Sequence, residues 1–434
     1  MKPTRALLAL LAAWAVLAAV AAFVPAALAA WAGVGLVFVL AACVDALVLW
    51  RRAMPEVERT LAPAMSLGEW HDVSLRLRHA GGLPLTVEVF DGYPVICELE
   101  GLPQRVRIPA GGWGELRYRV RPRERGELVF APADVLLTGP LGLLRTRAVL
   151  GARETVRVFP NFRQVAKLAM LAVDNRTARM GIHMRRRRGE GTEFFQLREY
   201  REGDSLRQID WKAVSRRHQL ISREYREEQN QQVLFLLDCG RRMHTRDGDL
   251  THFDHVLNAV LLLTYVALRQ GDGVGVMTFS GSDRWLPPVR GGAAMNSVLN
   301  TVFDLQTTTA PSDFAEAAAR LGARQRRRAL VVLVTNLRDD DSEDLGSALA
   351  PLRKRHLILV ASLREPVLGQ VLNEPILGFD DALRVGATHH YLMQRMKAHE
   401  MVRGQGLRLL DVEPAQLPVS LVNRYLEIKR AGSL

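Results

Sequence analysis

The stretch VLFLLDCGRRMH extends from Val233 to His244, and its first half decides the fold of the chain around it. Five consecutive apolar residues precede Asp238, so neither face of this strand is suited to water. A strand buried on both faces is typical of a parallel sheet that is covered by helices. The carboxyl ends of such strands are where these sheets place their functional sites, so Asp238 stands at a position suited to function.

Other apolar runs downstream have the same character, and helical periods separate them. The runs are Gly273–Phe279, Ala329–Thr335 and His356–Ser362, and the helical periods are Phe253–Gln270, Asp313–Gln325 and Asp344–Arg355. Alternation of buried strands and amphipathic helices predicts a parallel sheet built from strand–helix–strand units. We therefore predict that residues 229–434 form one α/β domain with a Rossmann-like parallel sheet.

The N-terminus contains two apolar spans, at about residues 6–23 and 28–50, with Pro25 between them. Each is long enough for a helix that crosses a hydrocarbon core of roughly 30 Å. Asp45 is the only charged residue inside the spans, and we expect it near the lipid headgroups. Residues 1–54 are thus predicted to form a transmembrane helical hairpin.

Positive charges lie at one end of this hairpin, namely Lys2, Arg5, Arg51 and Arg52. The positive-inside rule then places both ends, and everything after them, on the cytoplasmic side of a bacterial inner membrane that the chain crosses more than once. The alternative is a signal peptide with a cleavage site near Ala30. That alternative leaves the second apolar span without a bilayer.

Between the hairpin and the α/β domain the pattern changes twice. Residues 55–160 contain short alternating runs such as DVSLRLRH (Asp72–His79) and LTVEVFD (Leu85–Asp91), which predict an antiparallel β-sandwich. Residues 161–228 begin with a predicted helix, Phe162–Met170, and continue as a polar, strongly charged segment.

The charge distribution and the cysteine spacing limit which partners and cofactors we expect. The formal net charge is +12, but the basic residues are scattered, and Arg185–Arg188 is a run without interleaved aromatic residues. We therefore predict no nucleic-acid partner, and contact with membrane lipid or acidic protein instead. The three cysteines show no metal-ligand spacing, so we predict no cofactor and no zinc site.

The polar segment carries a dense signature, GEGTEFFQLREYREGDSLRQIDWKAVSRRHQLISREYREE, from Gly189 to Glu228. It resembles the bacterial domain of unknown function 58 family, as does RPRERGELVFAPADVLLTGPLGLL before it. The resemblance implies a von Willebrand factor A-like fold after the signature and an association with MoxR-type AAA+ ATPases. It implies no known reaction. The residues that carry the resemblance are Glu193, Arg198, Glu199, Tyr200, Gly203, Asp204, Arg207, Asp210, Trp211 and Lys212.

The carboxylates of the signature permit two interpretations. Glu199, Asp204 and Asp210 lie near basic residues and would suit a metal-dependent hydrolase. No spacing fixes the three on one face, so we favour a structural role, with a turn at Gly203–Asp204 and a packed Trp211. The chain also lacks a phosphate-binding loop, a nucleophile elbow and an HExxH motif.

A von Willebrand factor A-like domain often holds a cation, through a D-x-S-x-S motif, a later hydroxyl and a second Asp. The corresponding residues here are Asp238, Gly240, Arg242, Ser312 and Asn336. Two hydroxyls and one carboxylate are missing, and an arginine cannot ligate a cation, although it can replace one. We therefore predict a degenerate metal site without metal, in which the guanidinium of Arg242, or failing it Arg241, pairs with Asp238.

A second metal hypothesis concerns His252 and His255, whose spacing fits a zinc site. Thr251 and Asp254 offer a simpler explanation, because they are spaced as a capping box for the helix that begins there. We predict the capping box. Taken together, the sequence predicts a non-enzymatic, membrane-anchored scaffold that binds a MoxR-type AAA+ ATPase during assembly or maturation of protein complexes.

Overall fold

The computed structural model of the protein describes residues 1–24, 27–161, 193–201, 206–226, 231–338 and 342–432. The contacts divide the chain into two compact units, Met1–Phe159 and Pro160–Leu434. Some of the predicted features lie outside the described residues, namely the helix Phe162–Met170, the run Arg185–Arg188 and the turn Gly203–Asp204.

Unit 1 begins with two helices, α1 (Arg5–Phe23) and α2 (Ala27–Arg51). Both are long and apolar enough to cross a membrane, and most of their side chains are exposed on the unit. The ring of Trp14 stacks on that of Trp31 with 5.0 Å between centroids. A Cβ at Gly35 would lie 2.7 Å from the Trp14 ring, so glycine allows the two helices to approach closely here.

The strands of unit 1 are β1 (Lys2–Pro3), β2 (Glu56–Thr60), β3 (Ala64–Ser66), β4 (His71–Arg78), β5 (Leu85–Gly92), β6 (Cys97–Glu100), β7 (Gln104–Ile108), β8 (Trp113–Pro122), β9 (Gly126–Thr138), β10 (Leu144–Leu150) and β11 (Glu154–Phe159). One sheet has the order β1–β10–β9–β11–β3, with β5 beside β9 and β7 beside β5. The other sheet has the order β2–β4–β8–β6. All neighbours are antiparallel except β3 and β11, which are parallel.

Alternate residues of these strands are buried, as the sequence pattern predicts. Strand β4 buries Val73, Leu75 and Leu77, while the residues between them face outward. The two sheets contact each other through Tyr118 of β8, whose hydroxyl donates a hydrogen bond to Asp91 of β5. The described part of unit 1 therefore has two sheets with their apolar faces turned inward.

Unit 2 contains a strand pair and a larger sheet. The pair is β12 (Glu193–Glu199) with β13 (Ile221–Arg226), and helix α3 (Trp211–Arg217) lies between them in the chain. The sheet has the strands β14 (Gln232–Asp238), β17 (Gly273–Phe279), β18 (Trp285–Val289), β19 (Leu330–Thr335), β20 (Leu357–Leu363) and β21 (Arg408–Val412). Two short strands, β15 (Arg246–Asp247) and β16 (Leu250–Thr251), form a separate pair.

The sheet is parallel except at one edge. Its order is β18–β17–β14–β19–β20–β21, and only β18 runs antiparallel to its neighbour among these strands. The helices are α4 (His252–Arg269), α5 (Ala294–Val302), α6 (Phe314–Arg324), α7 (Ser342–Arg353), α8 (Pro366–Asn373), α9 (Phe379–Gly404) and α10 (Leu417–Arg430).

Successive residues of β14 point into two different cores. Val233, Phe235 and Leu237 pack with α4, α5 and α10 on one face. Leu234 and Leu236 pack with α6, α7 and the C-terminal part of α9 on the other. This explains the uninterrupted apolar run, because both faces of the strand are covered.

The chain changes direction across the sheet at β14. It passes from β14 to β17 on one side and later returns to β19 on the other side. In open α/β sheets such a switch point leaves a crevice at the carboxyl ends of the strands, and ligands bind there. Asp238, at the end of β14, lies at this point.

Candidate functional site

The carboxylate of Asp238 is buried at the switch point and satisfied by three neutral donors. Its Oδ1 accepts a hydrogen bond from the Gly240 N–H at 2.8 Å. Its Oδ2 accepts from the hydroxyls of Ser312 and Thr335, both at 2.7 Å. Because β14 and β19 are parallel neighbours, Leu237 lies opposite Val334 and the two strand ends coincide. That register brings Thr335 to Asp238.

Glycine at position 240 lets the loop after β14 pass close to the loop before α6. A Cβ there would lie 2.8 Å from the Ala310 carbonyl oxygen and 3.1 Å from Ser312 Oγ. The same contact is reinforced by the Arg241 N–H, which donates to Ala310 O at 3.0 Å. Gly240 and Ser312 therefore act together to hold the Asp238 loop.

The expected ion pair between Asp238 and Arg242 is not formed. Among the residues that the structure describes, Asp238 has no cationic partner, and its carboxylate accepts hydrogen bonds from the three neutral groups named above. Arg242 is buried in a short 3₁₀ turn and has interactions of its own. Two hydroxyls and one amide already satisfy the carboxylate, so a guanidinium is not required to keep it buried.

A positively charged side chain, Arg395 of α9, does lie next to this site. Arg395 is 3% exposed, and its guanidinium reaches the ends of β19, β20 and β21. Its hydrogen-bond acceptors are Asn336 Oδ1 (3.2 Å), the Leu337 carbonyl (2.9 Å), Ser362 Oγ (2.8 Å), the Leu363 carbonyl (2.7 Å) and Asp411 Oδ1 (2.7 Å). One side chain thus connects three strand ends.

Asn336, which the sequence pattern matches to the second Asp of a cation site, lies directly after β19. Its Oδ1 faces Arg395, and its Nδ2 donates to Glu365 Oε1 at 2.6 Å. An amide can face a guanidinium and a carboxylate at once, because it has both an acceptor and donors. The Asn336 side chain is therefore hydrogen-bonded to Arg395 and Glu365, whereas the hydroxyl of the preceding Thr335 is hydrogen-bonded to Asp238.

Two histidines complete the buried polar region. The nitrogens of His252 have no hydrogen-bond partner among the described residues, and burial lowers its pKa against the opposing effect of Glu365. Burial also lowers the pKa of His399 to about 4, although Asp411 lies 3.9 Å from its Nδ1. Both rings are therefore neutral at pH 7.

The predicted capping box at the start of α4 is confirmed. The Thr251 hydroxyl accepts from the Asp254 N–H at 3.1 Å, and Asp254 Oδ2 accepts from the Thr251 N–H at 2.8 Å. Asp254 is thus used by the helix terminus. The described residues contain no group of three or more His, Cys, Asp or Glu side chains placed to hold a metal ion.

The signature residues lie on the β12–β13 pair and on α3. Asp210 caps α3 by accepting from the Lys212 and Ala213 N–H groups, both at 3.1 Å, and its Oδ2 accepts from Arg223 at 3.0 Å. These contacts lower the pKa of Asp210, with the Arg223 hydrogen bond as the largest cause. They are the contacts of a helix cap that also holds the neighbouring strand.

The remaining signature residues are spread out. Trp211 is 67% exposed, so the expectation that it packs is wrong. Arg198 Nη1 donates to the Glu199 carbonyl, and the Tyr200 N–H donates to Leu220 O. Glu193 belongs to β12, and Arg207 belongs to a 3₁₀ turn. Glu199 and Lys212 are exposed. Gly203 and Asp204 lie outside the described residues.

Sequence reasoning missed the residues that complete the site. Thr335 had a detectable signal, because it is the hydroxyl residue that ends an apolar strand directly before Asn336. Arg395, Glu365 and Asp411 had none, since they come from elements far apart in the chain. Only the three-dimensional arrangement brings them to one edge of the sheet.

Comparisons with known proteins match part of the chain to one protein family. The family model "Protein of unknown function DUF58" matches residues 196–376, from β12 to the loop after α8. Uncharacterized protein Rv1480 of Mycobacterium tuberculosis is 23% identical over 275 residues, which cover 58% of this chain and 84% of that protein. Uncharacterized protein YeaD of Bacillus subtilis is 23% identical over 232 residues, which cover 52% of this chain and 54% of that protein.

Among solved structures, the Escherichia coli alpha-2-macroglobulin fragment from domain MG7 to the C-terminus is 17% identical. It covers 25% of this chain and 17% of that chain with a TM-score of 0.22, a value that carries no argument about the fold. The family match, in contrast, includes the signature strands and the site residues Asp238, Ser312, Asn336 and Glu365. Residues 196–376 of the chain thus match the family of proteins of unknown function DUF58.

Proposed function

We propose that the protein is a membrane-anchored, non-enzymatic scaffold whose unit 2 binds a protein partner in the cytoplasm of a bacterium. The partner, by the family resemblance, is a MoxR-type AAA+ ATPase that acts in assembly or maturation of protein complexes. Helices α1 and α2 anchor the chain, and the basic residues at their shared end favour a cytoplasmic location for both units. The strand order of unit 2 supports a von Willebrand factor A-like domain.

The observation that carries the proposal is an apolar surface on α8, α9 and the turn between them. Its most exposed members are Ile376 (58%), Leu377 (87%), Phe379 (79%) and Leu383 (56%). Single exposed apolar residues are ordinary, but a cluster of large ones marks an interaction site. We call these four residues the apolar knob.

The position of the apolar knob suits a docking element. Helix α9 is about 39 Å long at 1.5 Å per residue, and its buried residues lie mainly in the second half, including Arg395, Ala398 and Val402. That half is fixed by the Arg395 contacts to three strand ends. A rigid base with an apolar tip reduces the entropy that binding would otherwise cost.

The Asp238 site supports the non-enzymatic part of the proposal. A catalytic carboxylate must reach a substrate, whereas both oxygens of Asp238 are occupied by groups of the chain itself. Asp210 is likewise occupied by a helix cap and Arg223. Each of these two carboxylates therefore has a structural role that accounts for it.

The test is binding of the ATPase by the full chain in detergent, with ATP preserved. Partners captured from the native cell should include a protein with an AAA+ domain, and the purified ATPase should then bind with a measurable Kd. Phe379→Asp should weaken that binding about 30-fold, because loss of an aromatic anchor costs about 2 kcal/mol. Val95→Asp, on an apolar residue of unit 1 that is 96% exposed, is the matched control and should bind like the wild type.

Two results would contradict the proposal. If the wild type binds no AAA+ ATPase under these conditions, the partner assignment is wrong. If Phe379→Asp and Val95→Asp both bind as tightly as the wild type, the ATPase is a partner but the apolar knob is not where it docks.

A further inference from the structure

A loop of unit 1 is held by a charged residue of the membrane hairpin. The loop is Gly139–Leu144, between β9 and β10, and we call it the latch loop. Asp45 of α2 is completely buried, and its Oδ1 accepts from the Leu141 N–H at 2.9 Å. Its Oδ2 accepts from the N–H groups of Leu143 at 3.0 Å and Leu144 at 2.7 Å.

The approach of the loop to Asp45 is close enough to require glycine. A Cβ at Gly139 would collide with both carboxylate oxygens of Asp45. Three backbone donors on one carboxylate stabilise its charge, and the positive charge of Arg52 also acts on Asp45. Asp45 therefore binds the latch loop through both oxygens of its carboxylate.

The latch loop is also fixed to the start of α1. The Thr4 hydroxyl, which caps α1, donates to the Gly142 carbonyl at 2.7 Å, and the Thr4 N–H donates to the Leu143 carbonyl at 3.0 Å. Strand β1 continues this attachment, with Lys2 opposite Arg145 on β10. Both helices of the hairpin thus hold the same loop.

The latch loop contacts one face of the last turns of α2, and the opposite face of these turns exposes apolar side chains. Asp45 is six residues before Arg51, about 9 Å along the helix axis at 1.5 Å per residue. On the outer face of these last turns Val44, Leu47 and Trp50 are exposed, at 51%, 47% and 75%. Apolar side chains with a terminal Trp are typical of a helix that is still at the membrane interface. The latch loop is attached at that depth.

An apolar groove opens where the loop meets the helices. It has a volume of about 650 Å³, and Leu10 of α1, Gly33, Val37 and Phe38 of α2 and Leu141 and Leu143 of the latch loop are among its walls. The lining is almost wholly apolar, so it offers no hydrogen bond to a polar ligand. Val37 and Leu141 also belong to the exposed surface of the hairpin region, at 66% and 51%.

We propose that the latch loop inserts into the membrane beside the hairpin and that the groove holds an acyl chain of a bilayer phospholipid. The proposal rests on the membrane anchoring in the proposed function. The occupant follows from continuity, because the groove wall on α2 is part of the apolar surface that the bilayer covers. Asp45 fixes the depth of the loop, and Leu141 is the side chain that enters the lipid.

The first experiment measures the surroundings of Leu141 in the full chain, reconstituted in liposomes of phosphatidylethanolamine and phosphatidylglycerol. A spin label is placed at Leu141→Cys after Cys43, Cys97 and Cys239 have been replaced by alanine. We expect high collision with oxygen and low collision with a water-soluble nickel complex. The same label at Val95→Cys, which is 96% exposed, is the aqueous control.

The outcomes separate this proposal from the anchoring on which it rests. If the protein does not float with the liposomes, the anchoring itself is wrong. If it floats but the Leu141→Cys label is as accessible to nickel as the Val95→Cys label, the membrane insertion of the loop is wrong. If neither reagent reaches the label, the groove is covered by protein such as a second copy, and the lipid occupant is wrong.

The second experiment tests the groove. A phospholipid with a photoreactive acyl chain should cross-link to the groove residues of the full chain. Gly33→Leu should fill the groove, because a Cβ at Gly33 meets nothing within 4 Å, and should reduce cross-linking at least several-fold while flotation is unchanged. Gly139→Ala should displace the latch loop from Asp45 and make the Leu141→Cys label accessible to nickel. Unchanged cross-linking in Gly33→Leu would overturn the assignment of the groove.

Discussion

Replacing Arg395 by methionine should destabilise unit 2 more than any surface substitution. The side chain is buried, and its loss leaves Asp411 without its cation and two strand-end carbonyls without a donor. Removing one partner of a buried pair costs about 3–5 kcal/mol. Asp411 is still 20% exposed in its side chain, so water partly compensates, and we expect about 3 kcal/mol. For a unit of this size that is a fall in Tm of about 6–12 °C.

Further substitutions at Arg395 and Asp411 should show whether the charge or the shape of the guanidinium stabilises unit 2. Arg395→Lys keeps the charge but cannot bridge three strands, because an ammonium lacks the planar fork of a guanidinium, so an intermediate loss is expected. Asp411→Asn combined with Arg395→Met should be less destabilising than the sum of the single changes, since no uncompensated charge remains. Arg384→Met, on the exposed part of α9, is the control and should lie within about 0.5 kcal/mol of the wild type.

The assay is hydrogen exchange of the full chain in detergent, read by mass spectrometry on peptides from β19, β20 and β21. A local readout is needed because two units do not unfold as one two-state system. Faster exchange in these strands, with unit 1 unchanged, is the expected result for Arg395→Met. A variant that keeps wild-type exchange and a Tm within about 2 °C would refute the view that Arg395 connects the strand ends.

Asp238→Ala should lower the Tm of unit 2, because it leaves buried donors unpaired at about 1–3 kcal/mol, and Mg²⁺ should leave the wild-type Tm unchanged. A rise in Tm with Mg²⁺ that this variant abolishes would show a bound metal. Burial lowers the pKa of His399 to about 4, so between about pH 6.5 and 4 the unfolded state binds more protons than the folded state. Stability should therefore fall as the pH is lowered through that window, and His399→Gln should reduce the slope of Tm against pH. Tyr425→Phe removes a hydrogen bond to the buried Asp272 carboxylate, which Lys429 also contacts at 2.7 Å, and should cost about 1–3 kcal/mol in thermal unfolding. An unchanged Tm would mean that Lys429 alone satisfies the carboxylate.

The strands of the parallel sheet could be predicted from sequence because their signal is local. The predicted run Gly273–Phe279 has the same bounds as β17, and the other predicted strands of this sheet differ by about one residue. A strand that is buried on both faces has an unbroken run of apolar residues, and this run can be detected without tertiary information. The edge strand β21 was not predicted, since RLLDV is short and bounded by polar residues.

The partner of Asp238 could not be predicted in the same way. From the sequence we predict a cation beside Asp238, and Arg242 is the predicted partner because it lies only four residues further along the chain. The structure instead satisfies Asp238 with hydroxyls and supplies the cation from Arg395 on α9. Proximity in sequence is a poor guide here, because a parallel sheet brings together strand ends that are dozens of residues apart.

In each of the two units a buried charge fixes a piece of backbone. Asp45 accepts three N–H groups of the latch loop, and Arg395 donates to the carbonyls of Leu337 and Leu363 at the strand ends. Burying a charge is costly unless hydrogen bonds compensate for the lost water, so such a group favours the arrangement that supplies them. An apolar contact at either place would permit the backbone to slide, whereas these contacts do not. The charges therefore set geometry: the depth of the loop on the hairpin in unit 1, and the position of α9, which carries the apolar knob, in unit 2.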